Sequence, residues 1–122
     1  MFVGMAKAMR EPTFWILTAL AQQARHGYGI MQAAAALSEG RVTLQAGTLY
    51  AALDRLHAEG LIEVDHDEKV DGRDRRYYRL TVGGVAALNA EVDRLAQNAR
   101  TAGRQLAARA PQARPDLGPA TA

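Results

Sequence analysis

Apolar residues recur with a helical period through the first half of the chain, switch to a period of two, and then return to a helical period. Pro12 suits the first turn of a helix, where its missing N–H costs nothing. Phe14, Trp15, Ile16, Leu17, Leu20 and Ala21 make a first helix that is apolar nearly all round and predicted to end near Ala24. A helix without a polar face is buried on more than one side, and in a small chain one of those sides can be a second subunit. Arg25-His26-Gly27-Tyr28-Gly29 reads as a turn. A second helix is predicted from about Tyr28 to Leu37, with Ile30, Ala33, Ala34 and Leu37 inward. Ser38-Glu39-Gly40 ends it, because Gly40 can take the left-handed backbone of a helix exit. Arg41-Val42-Thr43 reads as short and extended. The third helix, roughly Ala46 to Glu59, puts Leu49, Leu53 and Leu56 on one face, with Thr48, Ala51, Ala52 and Arg55 away from it. Gly60 stops it, and Leu61 returns to the core.

Leu61 to His66 and Arg76 to Leu80 alternate apolar and polar residues around Asp71-Gly72, which is the pattern of a β-hairpin. Lys69, Arg73, Arg75 and Arg76 fall towards its tip. Thr81 is placed to cap a long last helix. Along that helix Val85, Leu88, Val92, Leu95, Ala99, Ala102 and Leu106 are spaced alternately by three and four, a heptad seam that needs a partner helix. Gly83-Gly84 weakens its first turn, and the two alanines thin the seam in its second half. From Pro111 onward Pro, Ala and Gly dominate, the composition of a disordered tail.

The order helix, helix, helix, hairpin, helix is the winged helix-turn-helix plan, a mainly α fold with a β-hairpin wing. It divides the chain into a DNA-binding domain at 1–81, a C-terminal dimerisation helix at 82–110 and a tail at 111–122. An α-helix fits the major groove, where each base pair shows a distinct pattern of donors and acceptors. A wing then reaches the adjacent backbone or minor groove, where arginine is drawn by the negative potential. The charge is laid out unevenly. Residues 63–93 hold five basic against eight acidic side chains, while residues 94–122 hold five arginines against Asp116 alone. Of the 15 basic residues 13 are Arg, whose planar fork suits phosphates and base edges better than an ammonium does.

Other chemistries find little support. The chain has no cysteine, which excludes a disulfide framework, a thiol nucleophile and cysteine-ligated metals. Gly27-Tyr28-Gly29 lacks the preceding strand and third glycine of a dinucleotide fingerprint, and no Ser-His-Asp order occurs, so no enzyme and no cofactor are expected. Asp65-His66-Asp67-Glu68 has the residue types of a metal site. On a strand, however, consecutive side chains point to opposite faces and should not converge, so no metal is expected. No apolar run reaches the length that spans a bilayer, and the start of the chain lacks a signal-peptide pattern. A cytoplasmic protein without a membrane partner is the expectation.

His26-Gly27-Tyr28-Gly29-Ile30, Gly47-Thr48-Leu49-Tyr50-Ala51-Ala52-Leu53, Glu59-Gly60-Leu61-Ile62, Gly72-Arg73 and Arg76-Tyr77-Tyr78-Arg79-Leu80-Thr81 occur in this order. In this the sequence resembles the PadR family of transcriptional regulators over about residues 12–95. The resemblance implies a winged-helix domain with a C-terminal dimerisation helix. It implies a dimeric repressor, of a family in which several members are released by small aromatic or hydrophobic compounds. The sequence departs from the family at two places. Gln45-Ala46 stands where members commonly have Ser-Pro, and Gln is a poor helix cap. Asp74 replaces a wing proline, in a wing already rich in carboxylates.

The candidate DNA contacts are Gln45, Thr48, Tyr50 and Arg55 on the third helix and Arg73 and Arg75 on the wing. Thr48 and Tyr50 suit phosphate, and Arg55 suits a base edge. The operator expected is double-stranded DNA with inverted-repeat half-sites, read by a homodimer. Val85, Leu88, Val92, Leu95, Ala99, Ala102 and Leu106 are the expected dimer interface. Phe14, Trp15, Val92 and Leu95 are the candidate pocket for a flat hydrophobic effector, Trp15 otherwise serving as a core or interface anchor. Two rivals remain: a winged-helix module for protein contact, favoured by the acidic wing, and a metal-responsive regulator using His66.

Overall fold

The computed structural model describes residues 8–109; the predicted tail at 111–122 lies outside the described residues. Four helices and three strands follow in the order α1 (Glu11–Ala19), β1 (Arg25–His26), α2 (Gly27–Leu37), α3 (Ala46–Ala58), β2 (Ile62–Val70), β3 (Arg73–Leu80) and α4 (Val82–Ala107). This is the winged helix-turn-helix arrangement expected, with β2 and β3 as the wing. No helix among the described residues is long and apolar enough to cross a membrane. The core lies between α1, α2, α3 and the base of the wing. Ile16, Leu17, Ile30, Leu49, Leu53, Leu56 and Ile62 are its largest fully buried side chains. Each is an apolar position on the inward stripe of its element, and their burial away from water drives the packing of these elements together.

Three local expectations are corrected. First, α1 ends at Ala19, not Ala24. The Nε of Arg25 donates to the carbonyl of Ala19 at 2.7 Å, satisfying an orphan acceptor at the helix end and releasing the chain for strand pairing. Second, Arg25-His26 is a strand, not a turn. It lies antiparallel to β3, with Arg25 opposite Tyr78 and His26 opposite Tyr77, in a sheet of order β1-β3-β2. Third, Leu37 is about half exposed, and fully buried Ser38 takes the inner position instead. The Ser38 hydroxyl accepts from the amide of Val42 and donates to the carbonyl of Ala35, which draws Val42 into the core. Glu39 and Gly40 follow with positive φ, as a helix exit requires.

The wing is longer than its alternating cores suggest. Asp71 and Gly72 carry φ of 52° and 78°, a turn whose two left-handed residues match the twist of the flanking strands. Cross-strand pairing runs from Val70–Arg73 to Ile62–Leu80 with one bulge, at Asp65 between Val64 and His66. The Thr81 hydroxyl caps α4 by accepting from Gly84 at 2.9 Å. Gly84 is required for a second reason: a Cβ there would overlap the carbonyl of Leu61. The glycine that weakens the helix is what lets α4 lie against the base of the wing.

Candidate nucleic-acid interface

The fully buried stripe Leu49, Leu53 and Leu56 seats α3 and turns its other positions outward. Gln45 is the N-cap residue and gives no side-chain hydrogen bond, yet the helix begins directly after it. Gln45, Thr48, Tyr50 and Arg55 are all exposed, but they do not share one surface. Tyr50 points towards the wing. It lines a cleft of about 650 Å³ together with His26, Gly27, Tyr28, Arg73 and Arg75. Thr48 and Arg55 line a groove of about 360 Å³ between α1 and α3, with Arg10, Thr13 and Leu44.

Gly27 makes room for Tyr50 at the wing cleft. A Cβ at that position would overlap the Tyr50 hydroxyl, so a residue without a side chain leaves room for the Tyr50 ring over the first turn of α2. His26 and Tyr28, which the sequence reading left out of the site, flank that glycine. The signal for them was the His26-Gly27-Tyr28-Gly29 motif itself. Burial, and then the charge of Arg75, push the His26 imidazole below its ordinary pKa, against a smaller upward pull from Glu68. Burial raises the Tyr78 phenol, which forms part of the cleft.

The wing's many carboxylates are largely engaged with its own basic groups. Arg79 donates to Glu63 at 2.8 Å and to Asp65 at 2.9 Å. Arg76 donates to Asp67 at 3.1 Å, and Lys69 lies 3.4 Å from Asp74. Among the described residues no ion pair is formed by Arg73 or Arg75. The two arginines beside Tyr50 are thus the wing's uncommitted cations, and an anion in the cleft would meet them without first breaking an internal pair.

His66 departs from the expectation for alternating side chains. The bulge at Asp65 brings that carboxylate onto Nδ1 of His66, while Glu68 stands 3.4 Å from Nε2. The ring stacks on Tyr77 with centroids 4.4 Å apart, and His26 approaches the same Tyr77 at 5.1 Å. Asp65 first, and Glu68 with it, hold the imidazole above its ordinary pKa. The two ring nitrogens face two separate carboxylates, and no group of three or more metal-ligating side chains is arranged to hold an ion among the described residues.

Two further surfaces lie on α1 and α4. Phe14, Trp15 and Leu95 line one groove of about 350 Å³ with Met9, Arg41 and Glu91; Val92, expected with them, is not on its lining. The Trp15 indole donates to Glu11 at 3.2 Å, meets Phe14 edge to face at 5.0 Å, and lies 5.9 Å from the Arg41 guanidinium. Glu91 at its floor is only 5% exposed. Its bond to Arg94, aided by the Met9 amide, holds its carboxyl below the usual range despite that burial. On α4, Val85, Val92, Leu95, Ala99, Ala102 and Leu106 are exposed, Leu95 by 42% and Leu106 by 65%. Leu88 differs from this seam: it is partly buried against the domain's own core.

Comparison with known proteins adds a family. The family described as "Transcriptional regulator PadR-like family" matches residues 16–90. A transcriptional regulator of Mycobacterium tuberculosis is 45% identical over 64 residues, spanning 52% of this chain and 59% of that protein. A PadR-like transcription factor from Bacteroides fragilis has the same fold, with a TM-score of 0.65 at 27% identity over 76% of this chain and 87% of that one. Bacillus subtilis PadR, solved in complex with operator DNA, superposes with a TM-score of 0.61 at 21% identity, over 68% of this chain and 47% of that one.

Proposed function

The chain belongs to the PadR-like family of transcriptional regulators, and from that premise we propose that it is a cytoplasmic, homodimeric repressor that binds an inverted-repeat operator. α3 enters the major groove with Gln45 and Thr48 at its leading end. Tyr50 with Arg73 and Arg75 holds the flanking phosphates or minor groove. The observation that carries this reading is the pairing within the wing: it leaves Arg73 and Arg75 uncommitted in the same cleft as Tyr50. That Bacillus subtilis PadR, which shares this fold, is solved in complex with operator DNA supports DNA as the partner.

The dimer forms through the apolar seam of α4, which is exposed among the described residues. A flat hydrophobic effector takes the groove lined by Phe14, Trp15 and Leu95. It releases DNA by binding better to the dimer spacing that misfits the operator.

The test is binding to an inverted-repeat duplex over a range of salt concentrations. Each phosphate neutralised releases condensed counterions, so affinity should fall steeply with salt. Arg73→Ala should flatten the slope by about one unit and weaken binding to all duplexes alike. Specific binding that ignores salt, or an unchanged slope in both Arg73→Ala and Arg75→Ala, would refute the assignment.

A further inference from the structure

Arg55 stands apart from the other basic residues of the interface. Its Nη2 donates to the Thr13 hydroxyl at 3.0 Å, across 42 residues of sequence. Its Nη1 lies 3.7 Å from Glu59, the C-cap residue of α3. Thr13 is only 7% exposed, so this bond ends on a buried acceptor on α1. α3 is otherwise seated mainly against α2 and β2. Between α1 and α3 runs the open groove of Thr48, Ala51 and Ala52, whose small side chains cannot bridge the gap. Arg55 closes it. Its place along the helix matters as well. Base edges are read from the leading end of a recognition helix, and Arg55 lies ten residues beyond the N-cap Gln45, about 15 Å along the axis.

From this juxtaposition we infer that Arg55 is a positioning residue: it straps α3 to α1 through Thr13 and fixes the tilt at which α3 presents Gln45 and Thr48 to DNA. The inference rests on the operator-binding reading above. It assigns Arg55 a role other than reading a base. Its guanidinium is already held by the Thr13 hydroxyl and paired with Glu59, so on this inference it is not one of the cations that neutralise phosphate. Removing the guanidinium leaves the Thr13 hydroxyl without its donor and lets the helix rock about its leucine stripe.

The experiment uses the full chain and a duplex that the wild type selects from a random-sequence library. Arg55→Ala and Thr13→Val should each weaken binding about five- to tenfold. The double variant should be no weaker than either single one, because both remove the same link. Thr13→Ser, which keeps the hydroxyl, should bind like the wild type. The salt slope and the preference at every base pair should stay unchanged in all four. Circular dichroism at the assay temperature accompanies each variant, and Arg55→Met, which keeps the stem and removes the donors, replaces any that unfolds.

Relaxed preference at one base pair in Arg55→Ala, with Thr13→Val silent, would make Arg55 a base reader and overturn the inference. A slope lowered by about one unit would make it a phosphate contact and overturn it too. Lower thermal stability with unchanged affinity would leave it a strut of the fold alone. A wild type that selects no duplex would bring down the regulator reading and the strap's role with it. A wild type that binds, with variants whose effects add, would overturn the strap only.

Discussion

The wing and α4 both face solvent, and they are complete to different degrees. The wing exposes charge, but most of that charge is answered within the hairpin: Arg79 by Glu63 and Asp65, Arg76 by Asp67, Lys69 by Asp74. What remains uncommitted is small and local. α4 exposes apolar side chains in a row, and among the described residues they stay uncovered. Exposed ion pairs contribute little to stability, with a typical value of about 0–1 kcal/mol, so the wing's pairing matters chiefly for which cations it leaves available. An unanswered apolar stripe is a standing cost, at roughly 25 cal/mol per Å² of area that a partner could cover. One region is tuned by subtraction; the other is, on the dimer reading proposed above, unfinished until a second copy covers it.

The largest effect should come from spoiling the unfinished region. Leu95→Asp puts a carboxylate in the middle of the seam, where pairing of two copies would bury it. Association should weaken on the order of 100-fold or more, read as a shift from dimer to monomer mass by light scattering at micromolar concentration. A wild type that is already monomeric there would remove the basis for the comparison.

A smaller effect should come from altering the subtraction. Asp67→Asn removes the partner of Arg76 and leaves that guanidinium free beside the cleft. Duplex binding should tighten by about three- to tenfold, with a salt slope steeper by about one unit. Weaker binding in this variant would mean that Asp67 orients Arg76 for DNA and that the pair acts as one contact.

The smallest effect should be the pH response of the wing. His66 has a raised pKa in the fold, with Asp65 as the first cause. The stabilisation from its protonated ring is therefore fully present below the ordinary value of about 6.5 and is lost as pH rises through the raised folded value. The wing gains negative charge over the same interval, so duplex binding should weaken in step. An NMR titration of the His66 ring should give a midpoint above 6.5 that falls in Asp65→Asn. A midpoint at or below 6.5 in the wild type would show that the carboxylates do not hold the proton.

The residues that announce the fold are those whose surroundings are local. The stripe of Leu49, Leu53 and Leu56, the Asp71-Gly72 turn and the Thr81 cap each express one element's own periodicity or backbone, and all three stand where the pattern puts them. Features that depend on a distant segment were not legible in this way. The end of α1 at Ala19 depends on Arg25 folding back and on β1 finding β3. Leu37 yields its place to Ser38 because the following loop needs a buried hydroxyl. The candidate contacts behave alike: the sequence groups Thr48, Tyr50 and Arg55 by helical exposure, while α1 and the wing divide them between two grooves.

The bulge at Asp65 bears on how this hairpin can change in length over evolutionary time. Removing a residue from a regular stretch of either strand reverses every side chain beyond the deletion, turning inward groups outward. At Asp65 the ladder already carries one residue that opposes nothing. Losing that residue would restore continuous pairing from Val64–Tyr78 to His66–Tyr77 and leave the tip, with Arg73 and Arg75, facing as before. Its cost would be the carboxylate shared by Arg79 and His66. Position 65 is thus where a one-residue gap between this wing and a relative's could fall without exchanging the side chains offered to a partner.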